Sequence, residues 1–488
     1  MANKQPYLRT KIYSIYKPDL GLVLNEPTSN LNPRACIACQ NVRFENGRAF
    51  HRTGYSDYGT GTITGIPLSF YNYNGTAIMA TTTNVYYLDG AAWTSFASSI
   101  GCDIDNRISL NTVYSGTDDT FYLTIGSKDY LAKKWDGTTL TALASDVSTW
   151  KPRIIVPYQY RLLMFNIDVN GTDKPLRMSY CAANDISDWD GTGAASRNLP
   201  QGSGDEILNA VPIKNYIGVY KDRSITLLSY VGGDSIFATQ VMVDGIGLIG
   251  QDAIVNLGTK HIFMGNDYNI YQWEGGGELI PIGNPIRSDI ISNLGNTSNR
   301  TFAVKNNEER EVSFFMPTSA ADYPTIYYSY NIENKSWSKH LVANSTGGGN
   351  IVTSADNELS MIGTYVSSTG VAEYMYASYN EDGVAISAYF TTPDIVISEE
   401  EHMVINKDFT RVIVEAAGGT TLTCQYSTDS GQNWSAADTA TITSYYDAYS
   451  FYISKTARKI RFKFSSTATD AAWAIRYIGI EYKERERK

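Results

Sequence analysis

A short unit recurs along this chain: an aromatic strand, a tight polar turn, and a Trp or Leu a few residues later. It reads Val85-Tyr86-Tyr87-Leu88-Asp89-Gly90-Ala91-Ala92-Trp93, then Lys134-Trp135-Asp136-Gly137-Thr138-Thr139-Leu140, then Ile270-Tyr271-Gln272-Trp273-Glu274-Gly275-Gly276-Gly277-Glu278-Leu279. A looser copy runs from Ile326 to Trp337. Each unit specifies a β-hairpin, because Asp-Gly supplies the positive φ of a tight turn while Tyr and Val suit a pleated surface. Turn signals recur near Asp89, Asp136, Asn184, Gly232, Glu274, Glu333 and Asp382. Their spacing of roughly 45 to 50 residues is that of a four-stranded propeller blade. A single blade cannot bury both faces of its sheet, whereas radial stacking buries each blade against the next. Residues 61–395 are therefore expected to form a β-propeller of roughly six or seven blades. Thr120–Ile125, Arg161–Phe165 and Glu311–Met316 read as its strands, and Ile286–Leu294 is the one stretch with helical periodicity.

The flanks differ from this repeat. Residues 1–60 lack it but carry a hairpin turning at Asn46-Gly47, with Val42 and Phe44 on one face. They are expected to lead into the propeller or close it. Beyond the charged turn Glu399-Glu400-Glu401-His402, the segments Thr410–Ala416, Thr421–Tyr426, Lys459–Phe464 and Ile475–Tyr482 alternate strictly between apolar and polar. That pattern predicts a separate antiparallel β-sandwich over 396–488, about the length such a fold needs. The expected class is all-β.

Composition narrows the function. At 488 residues the chain exceeds what one hydrophobic core supports, and its 36 Tyr and 40 Gly suit many strands and turns. A net charge of −10 excludes the broad basic footprint of a protein that grips nucleic acid. No window holds the ~18 apolar residues of a membrane span, and the first residues do not resemble a secretory signal, so synthesis in the cytoplasm is expected. The five cysteines, Cys36, Cys39, Cys102, Cys181 and Cys424, are too scattered for a disulfide framework. Cys36 and Cys39 have metal or redox spacing, but no second ligand pair follows, and buried free thiols are expected.

No motif specifies catalysis. Ser427, Asp429, Gly431 and Trp434 fit the Asp-box pattern S-x-D-x-G-x-x-W, a folded turn in which Asp accepts backbone hydrogen bonds and Trp packs beneath. Gly245-Ile246-Gly247-Leu248-Ile249-Gly250 matches G-x-G-x-x-G, yet Asp252–Gly258 leads into another strand, His261–Met264, where a dinucleotide site needs a helix. The four histidines, His51, His261, His340 and His402, lie apart without paired metal spacing. No catalytic, cofactor-binding or metal-ligating residues are expected, although a carboxylate pair for glycoside hydrolysis could assemble only in space.

The run Cys39-Gln40-Asn41-Val42-Arg43-Phe44-Glu45-Asn46-Gly47-Arg48-Ala49-Phe50-His51-Arg52-Thr53-Gly54-Tyr55 resembles the xxNVRFxxGxxxxRxGY opening of tailed-phage propeller proteins of the tail nozzle or tail hub kind, including the podophage packaged-DNA stabilisation group. Gly245–Leu257 with Ile262-Phe263-Met264, Ile270–Ile286, and Ser179-Tyr180 to Asp188-Trp189 are similar to later segments of the same pattern, in the same order. The resemblance covers most of 35–300. It implies a non-enzymatic virion structural protein of a podovirus tail, made in the host cytoplasm and assembled as a homo-oligomeric ring, expected to be a hexamer. Its implied partners are tail adaptor or portal proteins, tail fibres, and genomic DNA passing during ejection without sequence-specific binding. The alternative is a glycan-binding or glycoside-hydrolysing propeller. The turn-rich segments 318–324 and 344–350 are candidate channel loops, represented by Thr318, Asp322, Asn344, Gly348 and Asn350, because Gly and small polar residues give the backbone little to pack against.

Overall fold

The computed structural model describes residues 10–200, 206–354, 357–366, 369–397, 405–467 and 472–484. The chain divides into two compact units, one comprising 57–327 with 342–375, the other 1–56, 328–341 and 376–488.

The first unit is a β-propeller. Blade I is Pro67–Tyr73, Thr76–Thr81, Asn84–Asp89 and Ala92–Ser98; blade II is Ser109–Ser115, Thr120–Ser127, Tyr130–Trp135 and Leu140–Ala142. Blade III is Trp150–Tyr158, Arg161–Val169, Thr172–Tyr180 and Ala195–Asn198; blade IV is Ile207–Ile213, Tyr216–Lys221, Ser224–Gly232 and Ile236–Asp244. Blade V is Ile254–Asn256, His261–Met264, Ile270–Trp273 and Leu279–Pro281. Blade VI opens with Phe302–Asn306 and Glu311–Pro317, after which Pro324–Asn331 carries the chain into the other unit. Blade VII is Ser345–Ser354, Asn357–Val366 and Thr369–Met375, and Ile63–Thr64 pairs onto Thr369 and Gly370 from ahead of blade I. The first strand of every blade packs against the first strand of the next, and that of VII packs against that of I, so seven blades close a ring.

Strand periodicity explains the ring. Ile154 and Val156 join one apolar cluster with blade IV while Ile155, between them, joins another with blade II. On the next strand Leu163 and Phe165 divide from Leu162 and Met164 in the same way. A strand apolar on both faces is buried on both, and this is why these segments lack polar alternation. The recurring unit of aromatic strand and acidic-Gly turn is the outer hairpin of blades I, II and V, with Trp93, Trp135 and Trp273 buried. The expected helix forms at Arg287–Asn293 and buries Ile290.

The second unit is an antiparallel sandwich with a different composition from the expected one. One sheet runs Asp447–Ala457, Lys407–Ala417, Ala474–Glu484, Arg48–His51, Val42–Glu45, and Lys11–Tyr16 pairs along 477–482. The other runs Ala38–Gln40, Ala388–Thr391, Arg461–Ser466, Thr421–Ser427, Asp438–Thr441. Phe44 of the first sheet meets Phe390 of the second edge-on, with ring centroids 6.2 Å apart. Lys11–Tyr16, Ala38–Gln40, Val42–Glu45 and Arg48–His51 thus belong to the sandwich sheets, Gly21–Leu22 and Ala35–Cys36 instead continue the sheet of Ser336–Leu341, and 396–488 is only part of this unit. Lys11–Tyr16 pairs with residues over 450 positions away, a register set by edge complementarity that no local pattern carries. The expected boundary at Glu399–His402 lies outside the described residues.

Candidate functional site

The first strands of all seven blades enclose an axial cavity of about 550 Å³. Its walls are polar. Asn111 Nδ2 donates to Ile155 O at 2.6 Å, Asn209 Nδ2 to Gln251 O at 2.6 Å, Asn256 Nδ2 to Pro212 O at 2.8 Å, and Asn350 Nδ2 to Phe70 O at 3.0 Å. Each bond ties an inner strand to a neighbouring blade, so the amides that line the cavity also hold its wall rigid. Ser69 Oγ donates to Ile108 O across the I–II junction in the same manner.

A charged network gathered near the starts of the inner strands adjoins the lining residues Gln251 and Asp252 at one end of the cavity. Arg107, 1% exposed, donates to Leu68 O at 3.0 Å and to Arg300 O at 3.2 Å, and its guanidinium lies 3.7 Å from the Asp252 carboxylate. Arg153 pairs with Glu206 and donates to Gln251 Oε1 at 3.2 Å and to Asp105 O at 2.9 Å. Arg300 grips Asp105 through two bonds of 3.0 and 2.8 Å, which holds that carboxyl below its ordinary range. Burial pushes the Asp252 carboxyl up, against the opposing pull of Arg107 and Arg153. Toward the other end the lining residues Tyr71, Asn256, Gly258 and Lys305 approach the turns joining first and second strands. Sequence reasoning missed this network. Its signal is a charged residue one or two positions ahead of a buried apolar residue at or near the start of an inner strand, as in Arg107-Ile108, Arg153-Ile154, Glu206-Ile207 and Arg300-Thr301-Phe302.

The candidate channel loops separate. Thr318 bridges Leu294, and Asp322 is exposed near Arg300 at 4.0 Å. Asn344 precedes a strand, whereas Gly348 and Asn350 are inside it: they lie on the inner strand Ser345–Ser354 of blade VII, not on a loop. A Cβ on Gly348 would stand 1.7 Å from Leu68 O, and one on Gly347 2.2 Å from Pro67 O. Gly347 and Gly348 therefore mark backbone-to-backbone contact at the seam where the ring closes, and only residues without a side chain fit there.

The Asp-box residues form their turn in the sandwich. Ser427 Oγ donates to Asp429 Oδ1 at 2.7 Å and accepts from Gly431 N at 2.9 Å, and Asp429 accepts from Asn433 N at 2.9 Å. These bonds, led by Asn433, lower the Asp429 carboxyl to about 2. Trp434 is half-buried under Gly431, whose φ is +88°. The turn anchors on buried Asp394, which accepts from Ser430 Oγ at 2.8 Å and Lys459 Nζ at 2.9 Å and faces Arg461 at 2.9 Å. The Asp429 carboxylate thus holds the turn's backbone, while that of Asp394 is bonded to the side chains of Ser430 and Lys459.

The run 39–55 is likewise a set of structural contacts. Arg52 donates to Asn41 Oδ1 at 2.9 Å and to Leu341 O at 2.7 Å and pairs with Glu381, while buried Arg43 covers the rings of Phe50 and Tyr376. A Cβ on Gly54 would lie 1.8 Å from Asn380 O. In the G-x-G-x-x-G match, Cβ atoms on Gly247 and Gly250 would come within 2.2 and 2.0 Å of backbone carbonyls, so these glycines serve a tight connection between blades IV and V. All five cysteines are buried free thiols, and burial raises Cys36 and pushes Cys102 up to about 12. Among the described residues no helix is long and apolar enough to cross a membrane.

No family model matches the chain, and no curated protein matches it in sequence. Among solved structures it is similar to the β-propeller domain of Cps50 (Swd1) from Myceliophteria thermophila, at 9% identity and a TM-score of 0.39, covering 65% of this chain and 99% of that one. The extracellular domain of the putative hybrid two-component system BT4673 from B. thetaiotaomicron matches at 10% identity and a TM-score of 0.43, over 81% of this chain and 47% of that one. The exo-β-1,3-galactanase of Phanerochaete chrysosporium matches at 12% identity and a TM-score of 0.27, over 88% and 100%.

Proposed function

We propose that this chain is a non-enzymatic virion structural protein, a ring subunit of a phage tail nozzle or hub. The observation that carries the proposal is the run 39–55 with its later companions in order, since the resemblance rests on them. The contacts above give the run's Asn41, Arg43, Arg52 and Gly54 packing duties in the sandwich, a physical reason for such a motif in a protein whose task is to hold shape. A cavity of about 550 Å³ is too small to conduct a duplex. The DNA path in this proposal is therefore a lumen between copies. A net charge of −10 suits such a wall, because a basic lining would hold phosphates by counterion release. Of the candidate loops, 318–324 remains the surface segment for that lumen, with Asp322 exposed.

Native mass spectrometry of the purified chain, alone and co-expressed with adaptor or portal proteins, tests the proposal. Closed rings of several copies, or a stable complex with tail components, are expected. A monomer that joins no tail component and hydrolyses glycans would overturn it.

A further inference from the structure

We propose that the axial cavity of the propeller binds a small sugar acid, a polyhydroxylated ring carrying one carboxylate. This site is independent of the tail assignment, because it is built inside a single propeller.

The cavity has the form of a ligand site: its volume of about 550 Å³ falls in the ~300–1,000 Å³ range of such pockets, and residues of all seven inner strands line it. Its walls are already organised. Asn111, Asn209, Asn256 and Asn350 each commit one amide N–H to a backbone carbonyl, which fixes the side chain and leaves the second N–H for a guest. Three of them are clamped further, with Oδ1 accepting from Ala210 N at 2.8 Å, Gly258 N at 2.6 Å and Ile351 N at 2.9 Å. Pre-set donors around a polar cavity cost little to order when hydroxyl oxygens arrive. Tyr71 also lines the cavity, its ring packed against the apolar cluster of blades I and II and its hydroxyl oxygen accepting from Thr112 N at 2.9 Å.

Charge selects the acid. The charged residues lining the cavity are Asp252 and Lys305. Asp252 is answered by Arg107 at 3.7 Å. Half-buried Lys305 has no ion-pair or hydrogen-bond partner for its ammonium among the described residues. The cavity thus holds one uncompensated positive charge inside an acidic protein. One ammonium beside neutral amides matches a monocarboxylate with hydroxyls better than a phosphate dianion, which calls for arginine forks.

Isothermal titration of the full chain with D-galacturonate, D-glucuronate, D-galactose and inorganic phosphate tests this. Saturable binding of a uronate is expected, with galactose weaker. Lys305→Met should weaken uronate binding at least tenfold while leaving galactose binding unchanged, the latter showing that the cavity is intact; Lys305→Arg should restore part of the loss. Tighter binding of galacturonate oligomers than of the monomer would support a glycan chain end as the source, and monomer preference would support the free acid. Absence of uronate binding, equal uronate affinity in Lys305→Met, or phosphate binding as tight as uronate would overturn the proposal.

Discussion

Buried polar residues in this protein are fixed by their partners, and His261 shows what that does to stability. Its Nε2–H donates to Pro212 O at 2.9 Å and its Nδ1 accepts from Tyr220 Oη at 2.8 Å, so the neutral ring is fully bonded and a second proton on Nδ1 would displace the Tyr220 hydroxyl hydrogen from that bond. Burial lowers its pKa from 6.5 to about 4. The unfolded chain binds that proton near 6.5 and the folded chain does not, so the contribution is complete above about 6.5, shrinks as pH falls, and is gone below about 4. If the full shift is realised it is on the order of 3 kcal/mol. Burial depresses His51 and His340 in the same direction. The urea midpoint is therefore expected to fall between pH 7 and 4, and His261→Gln should flatten part of that fall. An unchanged pH slope in this variant would show that the imidazole is not linked to folding.

At the scale of elements, the informative join is that between blades VII and I. Pairing of Ile63–Thr64 onto blade VII and the packing of Gly347 and Gly348 against Pro67 and Leu68 bring the ring's ends together. A methyl at Gly348 meets a carbonyl oxygen at 1.7 Å, and backbone cannot rotate away as a side chain can. Gly348→Ala is expected to destabilise the propeller by about 3 kcal/mol, the upper part of the overpacking range. Gly276→Ala, where nothing lies within 4 Å, should be near neutral. Chemical denaturation of the two variants checks the contrast, and equal midpoints would mean that the seam is not close-packed. Trp93, Trp135 and Trp273 illustrate what was legible at this scale: a hairpin's turn residues and its aromatic follow one another in sequence, so local chemistry identifies them. The seam glycines read as a channel loop in the sequence because their neighbours, Pro67 and Leu68, are some 280 positions away.

Across the whole molecule, the sandwich draws on both ends of the chain. Its sheets need Lys11–Tyr16, Ala38–Gln40, Val42–Glu45, Arg48–His51 and Ala388–Thr391 beside the C-terminal strands. Residues 396–488 alone would expose the edge of Ala474–Glu484 and the core faces of Phe464 and Trp473, which pack on Phe390. The isolated fragment is therefore expected to lack a cooperative unfolding transition by circular dichroism and to be rapidly proteolysed. A cooperative, protease-resistant fragment would show that the N-terminal strands are accessory.

By itself the sequence determined the all-β class, the blade length, the outer hairpins, the short helix at Arg287–Asn293 and the Asp-box turn around Asp429. Each of these is governed by contacts within a few residues, through turn conformation, strand alternation or side-chain capping. The tertiary structure alone decided that seven blades close on Gly347 and Gly348, that the N-terminal strands complete the sandwich, and that Asn111, Asn209, Asn256, Asn350 and Lys305 share one cavity. Those outcomes depend on pairings between residues far apart in the chain, where loop closure costs only entropy and shape complementarity selects the partner, so no local pattern records them.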